Sequence, residues 1–181
     1  MKKITIALIM LLSSSSLFAQ FQVGGGVSYG WTVSRPGLTA KALGTLSEKW
    51  KLSPGFTYYT HDNFNHSGFS LPFGKVNELY SVDLDFHKQL KLKGLKKLTP
   101  YLIAGVNYSF IVFNIPANPN GSTDRLIRDT TNEMAINLGV GANYQISKMS
   151  NLYYEAKAIL FGDFEQSAFN LGFMTTIGVG K

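Results

Sequence analysis

The chain has 181 residues, no cysteine, 13% aromatic and 15% charged side chains, and a formal charge of +6. Without cysteine it has no disulfide, no thiol nucleophile and no cysteine-based metal site. Lys2 and Lys3 belong to a leader, which leaves 15 basic against 11 acidic residues; with no RNA- or DNA-binding motif, that excess makes no case for a nucleic-acid partner.

Residues 1–19 read as a signal peptide. Lys2 and Lys3 form the positive start, Ile4 to Leu12 the apolar run, Ser13 to Ser16 a polar break, and Leu17-Phe18-Ala19 the approach to the cut. The apolar run is shorter than the about 20 residues a spanning helix needs. The absence of a cysteine at the cut argues against a lipoprotein. Residues 20–181 then form one domain.

From there the chain alternates apolar with small or polar residues, the period-two pattern of a two-faced strand. The pattern predicts eight strands, over about 20–33, 38–46, 50–61, 76–88, 100–113, 133–146, 151–161 and 169–180. The first sets Val27, Tyr29 and Trp31 against Gly26, Ser28 and Gly30. The second puts Leu38, Ala40 and Ala42 on the apolar face and Lys41 and Leu43 on the other. In the third, Pro54 interrupts Trp50, Leu52, Phe56 and Tyr58, which predicts a bulge or a late strand start. The fourth sets Val82, Leu84 and Phe86 against Asp83, Asp85 and His87. The fifth has Leu102 to Val112 at even positions as its apolar row. The sixth pairs Ile136, Leu138 and Val140 with Asn137, Gly139 and Gly141. The seventh sets Leu152 and Tyr154 against Tyr153, Glu155 and Lys157, and the eighth sets Phe169, Leu171 and Phe173 against Asn170 and Gly172. The non-apolar rows are too small and glycine-rich to cover a solvated exterior but suit a narrow lumen.

This is an all-β pattern, predicting an eight-stranded antiparallel up-and-down transmembrane β-barrel with the apolar rows toward lipid. An even strand count returns both termini to one side. Connections near 34–37, 62–75, 114–131 and 163–167 are then external, and turns near 47–49, 89–99 and 147–151 periplasmic. The leader, the eight strands and hairpins such as Thr45–Tyr59 resemble the bacterial porin-family outer-membrane β-barrel domain, which is similar to the small OmpX-like barrels and the OmpA membrane domain. The resemblance implies integral residence in the outer membrane of a Gram-negative-type envelope. It also implies contact with outer-membrane lipid and lipopolysaccharide, and passage through the barrel-assembly machinery. The chain departs from the family's usual aromatic last residue, ending in Lys181.

Four groups of residues are candidates for chemistry. Lys41, Asp83, Asp85, Glu155 and Lys157 point inward and must be paired or wetted. A salt-bridge network plugging the lumen is the first reading, with Lys157 and Lys41 as partners for the two aspartates. A small gated pore whose ions swap partners is the second, and a catalytic carboxylate pair the third. Lys88, Lys91, Lys93, Lys96 and Lys97, interleaved with leucines, form a periplasmic basic turn. That turn is either solvated or a contact for the cell wall or an acidic periplasmic partner. Asp124, Arg125, Arg128 and Asp129 lie in an external loop suited to recognition. His61, Asp62, His66 and Ser67 could form an esterase or metal site, but read better as solvated loop residues.

The sequence thus points to a non-enzymatic outer-membrane barrel that is structural, adhesive or weakly pore-forming, with no cofactor. The alternative is a barrel enzyme acting on envelope lipids, in the manner of a lipid A esterase. A soluble lipocalin-like barrel requires the apolar rows to face inward.

Overall fold

A computed structural model describes residues 21–60, 75–92, 94–116, 126–160 and 165–177. The signal peptide expected at 1–19 lies outside them. The chain forms eight strands: β1 (Phe21–Gly30), β2 (Arg35–Thr45), β3 (Trp50–Tyr59), β4 (Lys75–Gln89), β5 (Leu98–Pro116), β6 (Leu126–Gln145), β7 (Ser150–Leu160) and β8 (Gln166–Ile177). Each pairs antiparallel with the next, and β1 pairs with β8 from Phe21↔Ile177 to Gly30↔Ala168, which closes the barrel. Closure removes the free edges that an open sheet would present.

The period-two pattern determines which face is which. Leu138 is 45% exposed while its neighbour Asn137 is 0%. The same contrast runs along β4, where Val82, Leu84 and Phe86 are exposed and Asp83, Asp85 and His87 buried. The apolar rows therefore cover the outside and the polar rows fill the inside. A water-soluble barrel has the opposite arrangement; this one has the surface of a barrel that spans a membrane. Aromatic side chains gather near both ends of the wall. Trp31 packs edge-on against Tyr29 and Phe169 at one end, and Trp50 stands at the other.

Two tight turns at the end that carries Phe21 and Ile177 share one chemistry. Leu46 and Ser47 both donate to the Trp50 carbonyl, and the Ser47 hydroxyl accepts from the Trp50 amide at 3.2 Å. A hundred residues on, Ile146 and Ser147 donate to the Ser150 carbonyl, and the Ser147 hydroxyl accepts from Met149 at 3.2 Å. A serine hydroxyl that bonds its own turn favours such reversals.

The wall departs from the sequence pattern at four places. Pro54 produces no bulge and does not delay β3. The β2–β3 register is the same on both sides of it, from Lys41↔Gly55 to Gly44↔Leu52, and only the ladder bond is missing. The Ser53 hydroxyl fills that gap by donating to the Ala42 carbonyl at 3.1 Å. The wall's register shift lies instead in β4, between Val76 and Glu78. Next to it Val112, expected on the exposed row, is buried, flanked in register by Glu78 and Thr130. The first reversal is a tight turn at 31–34, before the expected 34–37, with Ser34 at a φ of 52°.

The largest correction concerns the expected loop 114–131. The chain continues as a paired ribbon to Pro116↔Leu126, so Arg128 and Asp129 stand in β6, opposite Asn114 and Phe113. β6 pairs with β7 only from Ile136. Its first ten residues, 126–135, have β5 alone beside them among the described residues. At a rise of about 3.4 Å per residue, those ten residues carry β6 roughly 30 Å beyond Ile136, while on the other side β5 stays paired with β4 as far as Lys75↔Asn114.

Leu138 sits midway along the wall, level with Ala104 and Ala158. Leu138→Arg should cost about 2–4 kcal/mol of folding free energy in lipid vesicles, and Leu138→Phe under about 1 kcal/mol. Equilibrium denaturant unfolding in vesicles measures both.

Candidate functional site

The inward rows of six strands meet in the middle of the lumen. β4 contributes Asp83, Asp85 and His87, and β7 contributes Glu155 and Lys157. β2 brings Lys41, β5 Tyr101 and Asn107, β6 Asn137, and β8 Asn170. These side chains form two adjoining clusters.

In the first, the Lys157 ammonium lies 3.1 Å from both Asp83 Oδ2 and Asp85 Oδ2. The Asn137 amide donates to Asp83 at 2.8 Å and to Asp85 at 2.7 Å. Asn107 donates to Asp83 at 2.8 Å, and its own carbonyl accepts from Ser109 at 2.7 Å. Two carboxylates this close repel. One ammonium and two amides between them supply the opposing attraction and satisfy their lone pairs.

Glu155, fully buried, anchors the second cluster. It is ion-paired with Lys41, accepts from the Tyr101 hydroxyl at 2.9 Å and from the Asn170 amide at 3.3 Å. His87 Nε2 stands 3.8 Å from the same carboxylate, and its ring stacks on Tyr101 with centroids 4.6 Å apart. Lys41 also lies over the Tyr153 ring, 5.0 Å from its centroid. Lys41, which the sequence offers as a partner for the two aspartates, thus belongs to Glu155. The residues placed in the lumen by sequence are all there, but the aspartates share one cation and Glu155 takes the other.

Buried apolar side chains cluster on either side of this polar centre. Tyr59, Leu79 and Ile111, with Val33 against them, form one plug, and Leu43, Tyr153 and Met174 the other. Glycine makes room for two of the inward rings. A Cβ at Gly141 would come within 2.5 Å of the Tyr101 ring, and one at Gly172 within 2.5 Å of the Tyr153 ring. The sequence pattern shows these glycines only as small residues, and Asn107, Asn137, Tyr101 and Asn170 only as inward polar or aromatic positions. It contains their parity but not their partners.

The arrangement gives no support to a catalytic carboxylate pair. Asp83 and Asp85 are 6% and 1% exposed and engaged on both oxygens. Among the described residues no group of three or more His, Asp or Glu side chains could hold a metal ion. His61, Asp62, His66 and Ser67 lie outside the described residues, as do Asp124, Arg125 and Lys93.

The rest of the basic turn sits at the end of the barrel that carries Phe21 and Ile177. Lys88 is in β4 on the outer face, its ammonium 5.8 Å from the Trp50 ring centroid. Lys91 donates to Glu48 across two turns at 2.8 Å, and that hydrogen bond and charge hold the Glu48 carboxyl below its ordinary range. Both groups are mostly exposed, so the pair adds little to stability. Lys96 and Lys97 are exposed.

Solved structures share this architecture. The N-terminal β-barrel domain of Pseudomonas aeruginosa OprF superposes with a TM-score of 0.64 at 14% identity, over 88% of this chain and 98% of that one. A major outer membrane protein from Thermus thermophilus gives 0.63 at 14% identity, over 87% and 98%. Ail, the attachment invasion locus protein of Yersinia pestis, gives 0.54 at 11% identity, over 87% and 97%. The fold is that of the small eight-stranded outer-membrane barrels. No family model matches the sequence. No curated protein matches it either.

Lys157→Met should destabilise the barrel by about 3–5 kcal/mol, because it leaves two buried carboxylates without their cation. Adding Asp83→Asn and Asp85→Asn should recover most of that loss. Unfolding in detergent micelles reads the difference; a single variant as stable as the parent would show that the cluster is not coupled. Gly141→Val should cost about 1–3 kcal/mol by displacing the Tyr101 ring, and the same assay registers it.

Proposed function

We propose that the chain is an integral outer-membrane protein that works as a closed, non-enzymatic anchor, and that the overhanging β5–β6 ribbon is its working part. One observation carries this reading: the lumen holds an interlocked charged centre with an apolar plug on each side of it. An eight-stranded barrel has an interior just wide enough for side chains, so a filled lumen leaves no path for solute. The barrel then serves to hold something else in place.

The ribbon is the part built beyond what spanning requires. β1 and β3 cross with 10 residues each, whereas β5 has 19 and β6 has 20. Along β6 126–135 no other strand than β5 is paired among the described residues, and a sheet edge of that kind is where an extended partner segment adds. The structural likeness to a protein named for attachment and invasion favours an adhesive role for such a projection. In this reading the end carrying the termini and the basic turn faces the periplasm, and the ribbon faces outward.

The test has three parts. The protein, extracted from outer membranes in detergent, should migrate differently on a denaturing gel before and after heating. In planar bilayers it should give no steady conductance steps. Lipid A mass spectra with and without the protein should be identical. Stable steps would make it a pore, and a changed lipid A would make it an enzyme.

A further inference from the structure

The three turns at the end that carries the termini have one feature in common. Lys49, Lys91, Lys96, Lys97 and Lys148 are all exposed there, and Glu48 is the one acidic residue in the described parts of these turns. Glu48 is already engaged with Lys91. The cations therefore belong to a rim assembled from three separate hairpins.

That rim is also apolar. Leu46, Leu92, Leu95, Ile146 and Met149, in the same turns, are 44–56% exposed. On the wall just inside it, Lys88 reaches over Trp50, an apolar stem and aromatic ring at the boundary with a charge lying on top. A soluble acidic polymer or protein would meet the lysines but has no use for exposed leucine, isoleucine and methionine between them. A lipid surface meets both: acyl chains cover the apolar side chains, and phosphates lie at the height of the ammonium groups.

We propose that this rim selects anionic phospholipid headgroups from the leaflet at the terminal end of the barrel. The proposal rests on the reading of the chain as a membrane-spanning barrel, and names a partner for one of its ends. A lysine near an anionic surface contributes a factor of about five in association. Three of the lysines, Lys96, Lys97 and Lys148, can be removed together without touching the Glu48–Lys91 pair or the lumen.

The protein is refolded into phosphatidylcholine vesicles containing a trace of spin-labelled phosphatidylglycerol or spin-labelled phosphatidylcholine. The motionally restricted fraction of each label is then measured. The expected result is a preference of about fivefold or more for phosphatidylglycerol at low salt. It should fall toward parity at about 1 M salt, where the Debye length is about 3 Å. The variant Lys96→Gln, Lys97→Gln, Lys148→Gln should lose most of it while keeping the heat-modifiable form. A folded protein that restricts both lipids equally, or a variant that keeps the full preference, overturns the inference and leaves the membrane reading intact. Absence of any heat-modifiable form in vesicles overturns the membrane reading itself. Lysine-dependent retention on purified cell-wall sacculi without lipid selectivity would assign the rim to a polymer and also overturn it.

Discussion

Charges confined inside an eight-stranded wall are the constraint on which this structure turns. The interior of such a barrel has room for side chains and little else, so every ion placed there must find its partner among the other inward rows. Lys157 answers two aspartates and Lys41 answers Glu155, and these pairings tie β7 to β4 and β2 across the lumen. Backbone ladders join only neighbouring strands. The ion pairs join strands that are not neighbours, and so resist flattening or shear of the tube in a way the ladder does not. Burying an ion pair gains little free energy by itself, while removing one partner is costly.

The same confinement explains the aromatic and glycine positions. Tyr101 has to lie flat to reach Glu155 and stack on His87, and it lies over the part of β6 where Gly141 offers no side chain. Tyr153 does the same over Gly172 and so comes beneath Lys41. The glycine-rich inner face thus serves as recesses cut into the wall for rings that carry the polar network to the apolar plugs.

Much of this is legible in the sequence because a strand has only two faces. Parity alone puts Asp83, Asp85, Glu155 and Lys157 inside and Leu138 and its row outside, and it yields the strand count. What parity does not contain is height. Whether Lys41 stands level with Glu155 or with Asp85 depends on the stagger of β2 against β7, which no local pattern records. The ribbon escapes the pattern for another reason. Residues 126–132 include Arg128, Asp129 and Asn132, polar residues that read as a loop, yet backbone pairing with β5 needs no apolar side chain. Pro54 suggests more than it does: a missing N–H removes one bond without requiring a residue to be inserted.

That missing bond has a consequence for how the sequence can change. The Ala42 carbonyl needs a donor where the ladder lacks one, and the Ser53 hydroxyl supplies it beside a proline that cannot. Positions 53 and 54 are therefore not independent. While proline holds 54, the hydroxyl at 53 is what keeps that carbonyl satisfied. Once 54 regains an amide hydrogen, 53 is released to vary. Substitutions through this pair therefore have a permitted order: position 54 regains an amide hydrogen before position 53 gives up its hydroxyl.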